Sequence, residues 1–207
     1  MTDLVPLLRD DGPLARALGS ALGRAIAMPP LLLILAGLLP LLAWAAIGGG
    51  DVSHAAAAAV LAWAVLTVGA SRGRPAAENG RWAQPPLVRT TEYAALIWIA
   101  ALEGADAYPA AFALLAVLTF RHYDLAYRPR HLGTEPAPWV NALSGGWDGR
   151  VVAGVVLLAA GALPAGFYVA AAVLGTAFVG ECVAAWVIHG RDPLPLGPAG
   201  DDEEDEV

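Results

Sequence analysis

The sequence predicts an all-α fold: a polytopic membrane helical bundle of six transmembrane helices, preceded by an amphipathic interfacial helix. Three observations point to it. Of 207 residues, 57% are hydrophobic, against about 45–50% in soluble domains. The apolar residues gather in six stretches, near 29–47, 53–70, 87–104, 108–127, 150–165 and 167–188. Each approaches the ~20 residues that cross ~30 Å of hydrocarbon, the fifth being short. The third observation is that every arginine falls at the same end of this alternating arrangement.

From the N-terminus, residues 1–12 read as a cytoplasmic lead-in. Asp3, Asp10 and Asp11 precede any long apolar run, so no cleavable signal peptide is expected. Residues 13–28 follow as an amphipathic helix, with Asp10 or Asp11 as its cap and Pro13 in its first turn. Leu14, Leu18, Leu22 and Ile26 recur at four-residue spacing, while Arg16, Ser20 and Arg24 share another face. Such a helix lies at a membrane surface. Its small-residue ridge of Ala15, Gly19, Gly23 and Ala27 offers packing against a span as the alternative.

Within the membrane domain, residues 29–192, Pro40 is expected to kink the first span, and the alanines from Ala55 to Ala59 favour close helix approach in the second. Pro164 and Gly166 are expected at the turn between the last two. Residues 193–207 are expected to form a disordered acidic cytoplasmic tail. Their six consecutive acids, Asp201 to Glu206, supply six of the seven net negative charges and repel one another.

Topology follows from arginine. Arg9, Arg16, Arg24, Arg72, Arg74, Arg81, Arg128, Arg130 and Arg191 lie before the first span or in connections after even-numbered spans. Arg89, Arg121 and Arg150 sit at span ends on that same side. The three opposite turns contain no arginine. The positive-inside rule makes the arginine side cytoplasmic, which places both termini inside a plasma (inner) membrane.

Composition also excludes chemistries. Without any lysine there is no Walker-type phosphate loop, Schiff-base nucleophile or pyridoxal lysine. The one cysteine, Cys182, excludes an intrachain disulfide and zinc sites of paired cysteines; it is expected to be a small buried apolar residue.

Intramembrane polarity collects at one depth. The third span opens Val88-Arg89-Thr90-Thr91-Glu92-Tyr93. The fourth closes Phe120-Arg121-His122-Tyr123-Asp124-Leu125-Ala126-Tyr127-Arg128. The fifth is preceded by Gly146-Trp147-Asp148-Gly149-Arg150, and the sixth carries Glu181 and His189. At ~1.5 Å per residue these groups lie at similar depths on the cytoplasmic side. The outer half carries little charge beyond Glu103 and Asp106. A charge in hydrocarbon costs at least ~2.5–3.5 kcal/mol, so these side chains are expected to face each other or water.

Two interpretations remain open. Four acids (Glu92, Asp124, Asp148, Glu181) balance four bases (Arg89, Arg121, Arg128, Arg150), as a structural ion-pair network would. Arg89 with Glu92, and Asp124 with Arg128, can pair within their own helices. The functional interpretation assigns Arg89, Arg121 and Arg150 to phosphate binding, since guanidinium forks match phosphate oxygens. Asp124, Asp148 and Glu181 become candidate ligands for Mg²⁺, the one cofactor considered. Asp124, His122 and Glu92 become the candidate catalytic residues, with His122 as a proton acceptor near neutral pH. Trp82, Trp139 and Trp147 are expected to be interfacial anchors, and Asp51 and His54 to mark the outer interface. The polar loop 129–146 and the segment 80–86 are expected to cover the site.

The three charged strings, with Gln84-Pro85-Pro86-Leu87 ahead of the first, resemble an actinobacterial integral-membrane family of unknown function. The likeness runs from Asp10 to about Arg191, and the lysine-free, Ala- and Arg-rich composition suits such an origin. In that family the domain is often fused C-terminal to nucleotidyltransferase-like and CDP-alcohol phosphatidyltransferase domains. The resemblance thus implies a setting in phospholipid headgroup synthesis without an assigned reaction. Neither companion domain is found here. The phosphatidyltransferase motif is also missing: Asp148-Gly149 is followed by Arg150-Val151-Val152-Ala153, not by Ala-Arg after two residues, and no spaced aspartates follow. No aspartate-rich prenyltransferase motif appears either.

Three functions are therefore expected in order. The first is an enzyme, or the membrane part of one, acting on a phosphate-bearing lipid or nucleotide-activated headgroup. The second is a non-catalytic anchor or scaffold for a phosphatidyltransferase or nucleotidyltransferase. The third is a transporter, disfavoured by one-sided polarity and the lack of an inverted repeat. Membrane lipids are the expected partners; nucleic acid is not.

Overall fold

A computed structural model describes residues 4–46, 54–73 and 80–189. Among the described residues the chain is all-helical, with no strand. The helices are α1 (Val5–Arg9), α2 (Pro13–Leu22), α3 (Pro30–Ala46), α4 (His54–Ser71), α5 (Gln84–Glu103), α6 (Tyr108–His131), α7 (Pro138–Ser144), α8 (Gly146–Ala159) and α9 (Leu163–His189). The expected tail 193–207, the turn at Asp51 and the residues Arg74 and Arg191 lie outside the described residues, as do the side chains of His54 and His189.

Helix boundaries follow local chemistry. Prolines occupy the first turns of α1, α2, α5, α6 and α7, where no intrahelical N–H is lost. Left-handed residues stop others: Gly145 (φ 68°) ends α7, and Gly161 (φ 64°) lies in the turn after α8. That turn displaces the one expected at Pro164 and Gly166. Pro164 sits in the first turn of α9, and Gly166 is helical, packed on Leu157. The amphipathic helix stops at Leu22 rather than continuing to residue 28. Two short helices, α1 and α7, add to the expected elements.

Helix α5 is the axis of the bundle, packing against α1, α3, α4, α6, α8 and α9. Its Val88, Leu96 and Ile99 are fully buried, as are Leu118 of α6 and Leu163 of α9. The outer surfaces are apolar. Leu39, Trp63, Phe112, Val156, Val169, Val173, Val183 and Ile188 are all exposed.

Among the described residues, two segments are long and apolar enough to cross a membrane: Pro138–Ala159 and Leu163–Ile188. This revises the expectation of six on length and apolarity alone. Pro30–Trp44 and Ala55–Ser71 are apolar but shorter. Helices α5 and α6 have 20 and 24 residues but carry charged groups in their arginine-side halves. The first of the two qualifying segments is bent, since Gly145 interrupts it between α7 and α8.

Candidate anion-binding site

The polar groups meet at one end of the bundle, where α5 and α8 begin and α6 ends. The N-terminal segment is drawn into that end. Trp147 donates its backbone N–H to the Asp10 carbonyl (3.0 Å). Gly146, at φ 70°, abuts Gly12 so closely that a Cβ would lie 2.2 Å from the Gly12 nitrogen. Only glycine permits both that backbone angle and that approach.

Arg150 is the centre of the first cluster. Its Nε donates to Glu92 Oε1 (2.6 Å), its Nη2 to Asp10 Oδ2 (2.8 Å) and its Nη1 to the Ser144 carbonyl (3.2 Å). Glu92 is completely buried. Arg89, one turn before Glu92, donates to the Leu8 carbonyl; its Nη1 stands 3.7 Å from Asp10 Oδ2 and 3.8 Å from Glu92 Oε2. Two of the three arginines assigned to phosphate from sequence, Arg89 and Arg150, therefore meet on one carboxylate of the chain itself, whereas Arg121 lies against Asp124 and Asn141. Asp10 reaches this position from a left-handed backbone (φ 49°), the one non-glycine residue with positive φ among the described residues.

A second cluster joins α6 to α9. Asp124 accepts two bonds from Arg128 (3.0 and 2.5 Å), and Arg128 Nη1 donates to Glu181 Oε1 (2.5 Å). Glu181 also accepts the Ala137 N–H (3.2 Å), so the 129–146 connection does pack over this end. Fully buried Arg121 belongs to this second cluster. It donates to Asn141 Oδ1, stands 3.8 Å from Asp124 and lies over the Phe178 ring at 5.1 Å.

A third set ties down the N-terminus. Buried Arg9 donates to Asp11, Gln84, Ser71 and the Val68 carbonyl. Asp11 also accepts from Trp147 Nε1 (2.9 Å). Trp147 is thus a buried hydrogen-bonded core residue, not an interfacial anchor, whereas Trp82 and Trp139 are exposed. Asp148 accepts the backbone N–H groups of Gly12, Leu14 and Ala15 (2.5–3.1 Å). The cap of α2 therefore comes from Asp148 in α8, not from Asp10 or Asp11. A carboxylate at a helix N-terminus satisfies orphan donors and the helix dipole together.

The predicted metal set is not assembled. Asp148 faces α2, while Asp124 and Glu181 flank Arg128. Among the described residues no three His, Cys, Asp or Glu side chains converge as ligands. Cys182 is half-buried, its sulfur 3.4 Å from Asp124 Oδ1, rather than purely apolar in its surroundings.

Of the predicted catalytic residues, His122 turns away from its sequence neighbour Asp124. Its Nδ1 pairs with the Tyr93 hydroxyl (2.8 Å), and its Nε2 faces Glu92 Oε2 at 3.9 Å. Several buried atoms have no hydrogen-bond partner: Arg89 Nη1, Arg121 Nε and Nη1, His122 Nε2, Glu92 Oε2 and Glu181 Oε2. Sequence reasoning missed Arg9 and Asp10 as members of the site. Their signal was the charged run Arg9-Asp10-Asp11 directly after apolar Leu7 and Leu8.

Fold and site define an all-helical domain with a buried arginine–carboxylate cluster at one end. The chain belongs to a family of unknown function, DUF5941, whose model matches residues 2–205. No curated protein and no solved structure matches it.

Proposed function

We propose that the chain is a six-span integral membrane domain, with both termini cytoplasmic, whose arginine cluster binds the phosphate of a lipid or nucleotide-activated headgroup during phospholipid or polyprenyl-phosphate metabolism. Helix lengths support the spans. At ~1.5 Å per residue, α3 and α4 run about 26–27 Å, and α5 and α6 about 30–36 Å. The charges of α5 and α6 do not argue against crossing, because Glu92, Arg121, Asp124 and Arg128 are buried among helices. Exposed valines and leucines suit a hydrocarbon solvent.

The observation that supports the binding site is the meeting of Arg89 and Arg150 on Asp10, with Arg89 Nη1 and Arg121 Nε and Nη1 buried without a hydrogen-bond acceptor. A carboxylate offers two oxygens; a phosphate offers three or more in a tetrahedral array and satisfies those remaining donors. In this proposal Asp10 holds the phosphate position until the ligand displaces it. Glu92 and His122, each with an atom free of hydrogen bonds facing the other, are better placed than Asp124 to move a proton, because Arg128 engages both oxygens of Asp124. Mg²⁺ has no ready ligand set here, and no step is assigned to it.

A second proposal, a non-catalytic anchor for a phosphatidyltransferase or nucleotidyltransferase, is favoured by the saturation of Arg150, Arg128 and Asp148. Binding of a polyprenyl phosphate and of a CDP-linked alcohol to protein in nanodiscs separates the two. Under the first proposal Asp10→Asn binds several-fold tighter, and Arg121→Lys or Arg121→Ala loses binding. Unchanged affinity in folded Asp10→Asn and Arg121→Lys would sink it in favour of the second.

A further inference from the structure

Around Glu92 Oε2 lie two further buried atoms, His122 Nε2 and Arg89 Nη1, and none of the three has a hydrogen bond among the described residues. Glu92 Oε2 is 3.9 Å from His122 Nε2 and 3.8 Å from Arg89 Nη1, too far for direct hydrogen bonds. The other oxygen of this fully buried carboxylate is held by Arg150. Buried polar atoms without a hydrogen bond are rare, and three about one oxygen mark the seat of a small polar group.

The far side of the His122 ring fixes its proton. The Tyr93 hydroxyl stands 2.8 Å from His122 Nδ1 and 3.2 Å from Thr119 Oγ1, and Thr119 Oγ1 donates to the Leu115 carbonyl (2.8 Å). Each of these three donors has one hydrogen to give. A carbonyl only accepts, so the Thr119 hydrogen is committed to Leu115. Tyr93 must then donate to Thr119, and His122 Nδ1–H must donate to the Tyr93 oxygen. No other assignment makes all three bonds. In neutral His122 the second nitrogen is thereby left with its lone pair, turned toward a carboxylate oxygen. Two acceptors cannot bond each other. An O–H group between them donates to one and accepts from Arg89 Nη1. That same Nη1 stands 3.7 Å from Asp10 Oδ2, so the seat adjoins the place proposed for phosphate.

We propose that this seat binds a hydroxyl oxygen, of water or of a lipid alcohol, and that His122 Nε2 takes its proton. Tyr93 and Thr119 are positioning residues that hold His122 in its Nδ1–H form. The reaction rests on the phosphate-binding proposal. The O–H bond breaks and its proton goes to Nε2; the oxygen bonds to phosphorus, and the leaving group departs with the electron pair of its P–O bond. The test needs no turnover. Nitrogen NMR of the full chain in nanodiscs, with isotope-labelled histidine and His122 assigned by the signal lost in His122→Gln, should show a protonated Nδ1 and a bare Nε2 near neutral pH. Thr119→Val returns the Tyr93 hydrogen to Nδ1 and should move the ring proton to Nε2. A through-space cross-peak from His122 Hε1 to water identifies water as the source of the hydroxyl. Its replacement by a cross-peak to the carbinol protons of added farnesol identifies an alcohol. An Nε2–H form in the unmodified chain, an unchanged form in Thr119→Val, or the absence of both cross-peaks overturns the proposal. If the Nδ1–H form and a cross-peak are found while neither polyprenyl phosphate nor a CDP-linked alcohol binds, the phosphate-binding proposal fails and the hydroxyl seat stands.

Discussion

Asp148 and Arg150 sit two residues apart on α8 and do different work. Asp148 takes three backbone donors at the start of α2, so Asp148→Ala leaves a helix terminus without its cap. The expected cost is about 2 kcal/mol, read by unfolding in mixed micelles, with faster hydrogen exchange at Leu14 and Ala15. Arg150 neutralises two buried acids. Arg150→Ala strands Glu92 and Asp10 and is expected to cost about 3–5 kcal/mol. A loss no larger than that of a surface arginine in the same assay would show that these acids are solvated, contrary to their burial. Much of this scale was legible beforehand. The within-helix pairs Arg89–Glu92 and Asp124–Arg128 form as their spacing required. What could not be read was which acid answers Arg150, because Asp10 is 140 residues away in the chain.

At the scale of elements, the unexpected unit is α1 with its junction to α2. Sequence periodicity cannot flag a helix of five residues, which carries too few turns for a pattern. Its placement depends on two glycines meeting. Gly146→Ala introduces a Cβ against the Gly12 backbone and strains a positive φ. The expected outcome is release of residues 5–12: hydrogen exchange should rise at Gly12 and Trp147 while α3 and α4 keep their protection. Under the phosphate-binding proposal this variant also binds headgroup more tightly, since Asp10 withdraws with its segment. The same junction explains why the sequence offers Asp10 or Asp11 as the cap. Asp-Asp-Gly-Pro reads locally as a helix start, yet the carboxylate that caps α2 arrives from another helix. The cover over the site, by contrast, was legible in the polar, proline-bearing run 129–146, and its Ala137 and Asn141 do contact Glu181 and Arg121.

For the whole molecule, the six-span proposal makes a directional prediction. In a Cys182→Ala background, Asp106→Cys should react with an impermeant maleimide applied to intact cells, and Trp82→Cys should react only in inverted vesicles. Both positions are exposed. Labelling of both from one side would show that α5 does not cross, and exchanged sides would reverse the orientation. Three and more helices bring charge to one end, so the polar network also fixes how α5, α6, α8 and α9 rotate about their axes. Apolar packing alone supplies little such specificity in lipid, where a leucine is as well solvated outside as inside.

By itself, the sequence determined that the chain is helical, roughly where its long helices run, and that its ionised groups collect at one end. Those properties follow from local composition and from the 3.6-residue repeat, both of which are printed in the order of residues. The tertiary structure alone decided the partners: Asp10 between Arg89 and Arg150, Asp148 on the start of α2, His122 turned to Glu92 instead of Asp124. Each joins segments distant in the chain, and their meeting depends on helix rotation and on two glycine backbones in contact. No spacing along the chain encodes either.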